Sequence, residues 1–457
     1  MDRHADVKGG AAAGPVTASL AAYVAGAAPG ALPEAVRKEA ARTFLNWVGC
    51  AVGGARHETV DIALAALSPF SGPAEASVLG RAERLDPLHA SLINGISSHV
   101  LDFDDTHLRT VIHPGGPVAS ALLAFAEHRK ISGPDFVNAL VLGVEVECRI
   151  GNAVFPAHYD VGWHITGTTG VFGAAAAIGR VLGLDAERMA WAFGIAATQP
   201  VGLLEMVGTM TKSFHPGRAA QNGMTGALLA ARGFTSSPRA LEAKRGWASV
   251  LSAGRDYAEI TEGLGEHYEI LANTYKPFAC GIVIHPVIDA CVQLRNQDGI
   301  EASAIRAVAL RVHPLVLVLT GKTEPRTGLE SKFSVFHAAA IALIEGGGGK
   351  RQFSDRAVLD PTVVDLRRRV TATIDPSLAP DAAQVTLTLA DGRVVKRHVE
   401  HAIGSMARPM TDADLEAKFI DLAEESLGKS GTRKLLDLCW SIGTLDETAA
   451  VAAAART

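Results

Sequence analysis

Residues 101–117 read LDFDDTHLRTVIHPGGP, and they gather three carboxylates (Asp102, Asp104, Asp105), two imidazoles (His107, His113), one guanidinium and two threonines in an otherwise apolar neighbourhood. Those acids and imidazoles, with His99 just upstream, carry the oxygen and nitrogen donors that a divalent ion or an ion pair would need. The same groups can move protons, and a cluster of acids is also an ordinary solvated loop. A metal hydrolase of the histidine-aspartate type would add an adjacent His-Asp dipeptide on a helix, and the chain has none.

Four further segments break apolar or small-residue stretches in the same way. GWHITGTTG sets His164 just before a helix of Gly, Ala and Val, near the positive end of its dipole. GTMTKSFHPGRAAQNG carries Lys212, His215 and Arg218, and NTYKPFACGIVIHP carries Tyr275, Lys276 and His285. KFSVFHAAA adds Lys332, Ser334 and His337. Taken singly, each imidazole reads as a satisfied structural residue; taken together, the set reads as cations converging on an anion. A small polycarboxylate suits such a cleft. Its chemistry is proton chemistry: Lys and Arg hold carboxylates and the enediolate that forms as a Cα proton leaves, while His moves protons near neutral pH.

Other motifs fall away on context. Gly167, Gly170 and Gly173 follow no apolar strand and do not have the G-x-G-x-x-G spacing, so they read as a surface for close helix approach. EGGGGKRQ follows a helix and lacks the Ser or Thr of a phosphate loop, and there is no G-x-S-x-G elbow.

These groups must be positioned by a large fold. A chain of 457 residues exceeds one ordinary core and predicts two domains, one of them discontinuous. Hydrophobic residues make up 48% and aromatics 5%, with Ala and Gly abundant, which predicts close-packed helices with small residues at their crossings. The net charge of -5, without long runs of one sign, argues against a nucleic-acid or anionic-lipid partner. Five scattered cysteines without a CxxC pair read as reduced thiols rather than a metal knuckle. The opening segment has an apolar run at Ala18 to Ala28, but Asp2 and Asp6 spoil a signal-peptide start and the pattern continues as an amphipathic helix, so a cytoplasmic location is expected. No stretch of about twenty uninterrupted apolar residues predicts a membrane span.

From about Thr17 to Leu271 the apolar spacing is helical, with caps at Ser132 and Asp185. After about Tyr275 the texture changes: AIRAVALRVHPLVLVLT and AAQVTLTLADGRVVKRHVE alternate like strands, Asp391-Gly392 is a hairpin signal, and SKFSVFHAAAIALIEGG between them is a helix ended by glycines. The expected fold is mostly α: a large all-helical domain of residues 1–271 plus 401–457, and a smaller α+β lid domain of residues 272–400.

The segments HVLDFDDTH...HPGGPV, GWHITGTTGVFGAA, GTMTKSFHPGRAAQNG, YKPFACGIVIHP and KFSVFHAAAIALIEG together resemble the MmgE/PrpD family, in order, from about residue 17 to about 430. That family includes 2-methylcitrate dehydratase, cis-aconitate decarboxylase and iminodisuccinate epimerase. The resemblance implies a helical domain with an α+β lid, a homodimer, and chemistry on di- or tricarboxylates in the cleft between the domains with neither metal nor other cofactor. Matched motif by motif, it puts site residues of the decarboxylase branch at Asp102, Thr106, His113, His164, Lys212 and Lys276. Two departures stand out: the loop from Thr106 to His113 is one residue longer than in the animal decarboxylase, and the position of that enzyme's lid tyrosine falls on His337 or Phe336. The GWH and GTMTK texture is closer to the epimerase branch.

The reading that follows is a metal-independent enzyme that abstracts a Cα proton from a small di- or tricarboxylate, first as a 2-methylcitrate dehydratase-like hydro-lyase, with epimerisation or cis-aconitate-type decarboxylation as alternatives. His164 and His113 form the expected proton-transfer pair. Lys212 and Lys276 take the carboxylates and the enediolate, and Asp102 and Thr106 orient the first pair or bind a polar substrate group. Arg218, His107, His285 and His337 are further substrate-binding candidates. The rivals are a metal-dependent hydrolase built on the Asp102 to His113 cluster, and a helical binding protein without turnover.

Overall fold

Several helices begin where a short polar side chain can take up a free N–H of the first turn. Ser132 accepts from the Asp135 N–H, Asp185 from Arg188, and Asp86 from both Leu88 and His89. The computed structural model describes residues 15–457, so Asp2 and Asp6 lie outside the described residues.

Small residues let these helices approach closely. Helix Ile165–Leu182 lies against Gly133–Val154, Gly115–His128 and Met210–Ala231, and a Cβ on its Gly170 or Gly173 would press on Pro117 or on the backbone of Gly143. That helix is long and apolar enough to cross a membrane, but most of it is buried inside the fold. At a second crossing, Gly95 of helix Pro87–His99 meets Gly217 of helix Met210–Ala231, and a Cβ on Gly95 would fall on the Gly217 backbone. This contact matters for the site, because the two helices carry His99 and Lys212.

The apolar residues sort into two cores. One runs from Val16 to Tyr275 and resumes from Met410 to Ala455, including the returning helix Asp412–Trp440. The other spans Phe278 to Val399 and packs helices His285–Asn296 and Val335–Glu345 on a four-stranded sheet. The sheet order is Val370–Ile374, Ile305–Val312, Ala383–Leu389, Val394–Val399; the first pair is parallel and the others antiparallel. The hairpin turns at Asp391-Gly392, with Gly392 at φ 88°. One strand expectation fails: the alternation read through residue 320 stops at Val312, and Pro314–Thr320 is helical. Its Pro opens the helix and His313 Nδ1 accepts from the Leu315 N–H, so capping outweighs a short apolar alternation.

Two small links join the parts around the future site. Strand Asp105–His107 pairs antiparallel with Asn273–Tyr275, with Thr106 opposite Thr274. Leu101 and Phe103, which flank Asp102, are buried in the second core although they follow a helix of the first. The loop that carries Asp102 is therefore clamped by both units, and Asp102 itself takes a left-handed φ of 51°.

Replacing Gly95 with Ala should overpack this crossing and cost about 1–3 kcal/mol of stability. Thermal unfolding checks it, and an unchanged Tm would show that the crossing has room.

Candidate active site

Asp102 is 3% exposed, and such a carboxylate must find cations or give up its charge. Its Oδ1 accepts from Lys212 Nζ at 2.7 Å and from Lys276 Nζ at 3.1 Å. Burial alone would raise the Asp102 pKa, but the two ammoniums outweigh it and hold the carboxylate well below its usual range. Lys276 also donates to the Asp102 carbonyl at 3.3 Å; burial would lower its pKa, and Asp102 raises it further, so it stays charged. Lys212 comes from helix Met210–Ala231, and Lys276 follows strand Asn273–Tyr275.

Two imidazoles face this cluster. His113 Nδ1 lies 2.7 Å from the Asp105 carbonyl, and a carbonyl only accepts, so Nδ1 carries the hydrogen and Nε2 keeps a lone pair. Thr106 Oγ1 is 3.3 Å from the same nitrogen, and Thr166 Oγ1 accepts from the His113 backbone N–H. Burial pushes the His113 pKa down to about 3, so the ring is neutral at physiological pH. His164, the residue just before helix Ile165–Leu182, places Nδ1 2.9 Å from His215 Nδ1, so one ring donates to the other. Burial, then Lys212 and His215, keep His164 neutral well below the usual imidazole range, and burial takes His215 down to about 4. The His113 and His164 ring centroids are 6.2 Å apart.

Asp102, Thr106, His113, His164, Lys212 and Lys276 all line one cavity of about 560 Å³ between the helical unit and the second unit. The wall from the second unit is mainly apolar, with Ile282, Val283, Val318 and Phe333, and its Thr320 hydroxyl is spent on the Val316 carbonyl. Val111, on the loop before His113, also lines the cavity with a left-handed φ of 55°, a costly conformation for a β-branched residue.

Four expected residues are not brought to this cavity. His107 is tied to Glu269 at 2.9 Å and Thr110 at 2.7 Å, behind the strand. His285 is buried at the start of its helix and points Nε2 at the Cys280 carbonyl, 3.4 Å away. His337 faces inward from helix Val335–Glu345, bonding the Gln352 carbonyl at 2.9 Å and meeting Phe353 edge-on. Arg218 sits on the exposed face of its helix and bonds Gln221.

Four other groups belong to the site's surroundings. His99, the last residue of helix Pro87–His99, bonds Asp104 Oδ2 through Nδ1 at 2.6 Å and Lys212 Nζ through Nε2 at 2.9 Å. Asp104 is thus engaged with the site, whereas Asp105 is structural, accepting from the Gly115 N–H and Asn273. Tyr159 lines the cavity, and burial, then Asp102, push its phenol up to about 12, so it remains a proton carrier. Its hydroxyl has no hydrogen-bond partner among the described residues. The signal for His99 was its place three residues before Asp102 at a helix end; Tyr159 had none in spacing.

His99, His113 and His164 each offer a ring nitrogen within 4.8 Å of the others, a set that could hold a metal ion. Here His99 Nε2 already accepts from Lys212, so a metal would have to displace that ammonium and share the space with Lys276. The free nitrogens of His113 and His164 are equally what proton transfer requires.

The model of the MmgE/PrpD N-terminal domain matches residues 18–260, and that of the MmgE/PrpD C-terminal domain matches residues 278–442. The chain is 28% identical to cis-aconitate decarboxylase of Aspergillus terreus (strain NIH 2624 / FGSC A1156) over 94% of each chain. It is 26% identical to cis-aconitate decarboxylase of Homo sapiens over 94% of this chain and 92% of that one. With 2-methylcitrate dehydratase of Cupriavidus necator it shares 26% over 74% of this chain and 75% of the other.

Lys332, beside this cluster, donates to the Leu101 carbonyl at 2.6 Å, and burial lowers its pKa to about 8. As pH rises through about 8 it loses a positive charge, so the attraction of the cavity for an added anionic probe such as citrate should weaken several-fold, about 1 kcal/mol. Calorimetric titration from pH 7 to 9 measures this, and Lys332→Met should flatten the dependence across that range.

Proposed function

The chain belongs to the MmgE/PrpD family and is an enzyme of that type, and on that premise we propose that it is a metal-independent lyase for a small di- or tricarboxylate. Its reaction in this reading removes a proton from the carbon next to a carboxylate and expels a β-hydroxyl as water. The observation that carries the reading is the pairing, in one cavity, of two neutral imidazoles with two ammoniums that share a single carboxylate.

The steps follow from the charges. The substrate carboxylate settles on Lys212 and Lys276, whose combined charge Asp102 only half cancels. His113 Nε2, a lone-pair nitrogen, takes the Cα proton, and the electron pair moves into the carboxylate to give an aci-carboxylate that the ammoniums stabilise. That pair then returns to form the C=C bond as the C–O bond breaks, and the departing hydroxyl takes a proton from His164 or the Tyr159 phenol to leave as water. His164 serves as acid in the tautomer that accepts from His215 through Nδ1 and carries its hydrogen on Nε2.

Decarboxylation is the second reading, favoured by the match over 94% of the chain to decarboxylases. It uses the same cations: a carboxylate leaves as CO2, its bonding electrons remain on carbon, and the N–H of neutral His164 or the Tyr159 phenol supplies the proton.

An NMR screen in D2O of citrate, 2-methylcitrate, malate, cis-aconitate and iminodisuccinate reports Cα exchange, water loss, CO2 loss and epimer formation together. Water loss from a hydroxy acid is expected; no reaction with any of them would overturn the proposal. His164→Ala should then lower kcat by about a hundredfold or more, and near-normal turnover would remove His164 from the chemistry. Exhaustive dialysis against a chelator should leave activity unchanged. Activity lost together with a stoichiometric divalent ion would instead assign the three-imidazole cluster to a metal.

A further inference from the structure

An ammonium has three hydrogens, and at Lys212 two are committed. One goes to Asp102 Oδ1 at 2.7 Å and one to His99 Nε2 at 2.9 Å. His99 can accept only in the tautomer that carries its hydrogen on Nδ1. Asp104 Oδ2, 2.6 Å from that Nδ1, enforces this tautomer, because an ionised carboxylate only accepts. Burial keeps His99 neutral; it would also raise Asp104, but the imidazoles His99 and His113 facing that carboxylate hold it below its usual range. His99 is 2% exposed and Asp104 fully buried, so no bulk water competes for these bonds.

We propose that Asp104 and His99 are a positioning pair for Lys212, fixing its ammonium so that the remaining N–H points into the cavity at the oxygen where negative charge develops. The inference deepens the lyase reading and rests on it. A freely turning ammonium would offer its hydrogens at random about the Cε–Nζ axis; the pinned one is oriented before the substrate arrives. The pair touches no substrate. Its effect therefore falls on the transition state more than on substrate binding.

Two substitutions separate positioning from space filling. His99→Asn keeps an amide N–H for Asp104 and removes the acceptor for Lys212, whereas His99→Gln sets a carbonyl oxygen close to where Nε2 stood. With the acid that the wild type turns over in the D2O screen, His99→Asn should lower kcat by about tenfold to a hundredfold and change KM by less than about threefold. His99→Gln should recover most of that kcat. Wild-type kcat in His99→Asn, equal losses in both variants, or a loss carried by KM alone would overturn the proposal. If His99→Asn does not fold, the isosteric Asp104→Asn carries the test: the same kcat loss supports the pair, and wild-type kcat overturns it. A wild type inert toward every acid would overturn the lyase reading and this inference together, whereas an active wild type with an unaffected variant overturns only the inference.

Discussion

One buried oxygen, Asp102 Oδ1, holds two ammoniums, and much of the site depends on that imbalance. A pair of unit charges about 4 Å apart interacts by about 4 kcal/mol at an effective dielectric near 20, so the Asp102 carboxylate helps keep the buried Lys276 charged. It cannot neutralise both ammoniums. Asp104, behind His99, offsets part of the rest, and the ammonium hydrogens that Asp102 leaves unused are what an entering carboxylate meets.

That geometry needs a rigid Asp102, and rigidity comes from both cores. Leu101 and Phe103 are packed into the second core, while Asp105–His107 forms a strand with Asn273–Tyr275, the segment that leads into Lys276. Lys332 bonds the Leu101 carbonyl, and Lys418, from the returning helix Asp412–Trp440, bonds the carbonyls of Phe103 and Lys276. The backbone on either side of Asp102 is therefore fixed by buried lysines from distant parts of the chain. These lysines are structural to the loop, which explains cations so deep in the protein that never meet the cavity.

The residues that sequence reading located were those whose polarity broke a regular pattern. His164 precedes a helix of Gly, Ala and Val, Lys212 opens another small-residue helix, and Lys276 stands at the change of texture, so their burial carried information. Helix and lid were legible for the same reason: 3.6-residue and two-residue periodicities differ over long segments. Direction was not. His337 has the same local signature as His164, but the face its helix turns to the second core sends it to the Gln352 carbonyl. The run of residues 313–320 misled because a short apolar stretch fits strand and helix alike, and only the His313 cap and Pro314 decide. Tyr159 depends on contacts made across the chain, which no spacing expresses, and the spacing that pointed to His99 could not show its bond to Lys212.

The arrangement also accounts for why one scaffold can support different bond cleavages. The aci-carboxylate left when a Cα proton departs and the carbanion left when CO2 departs both put charge near the same lysines, and both are met by neutral imidazoles. What differs is which substituent lies over His113 and which over His164, and that depends on the wall opposite. Here the second unit contributes mainly Ile, Val and Phe side chains, so it can shape the substrate but supplies little proton chemistry. The donors and acceptors are concentrated on the helical side, with Tyr159 as an added phenol and Val111 pressing in from the loop before His113. On the proposed lyase reading, reaction choice in this protein is a matter of how an apolar wall and a strained loop tilt the substrate over a fixed set of charges.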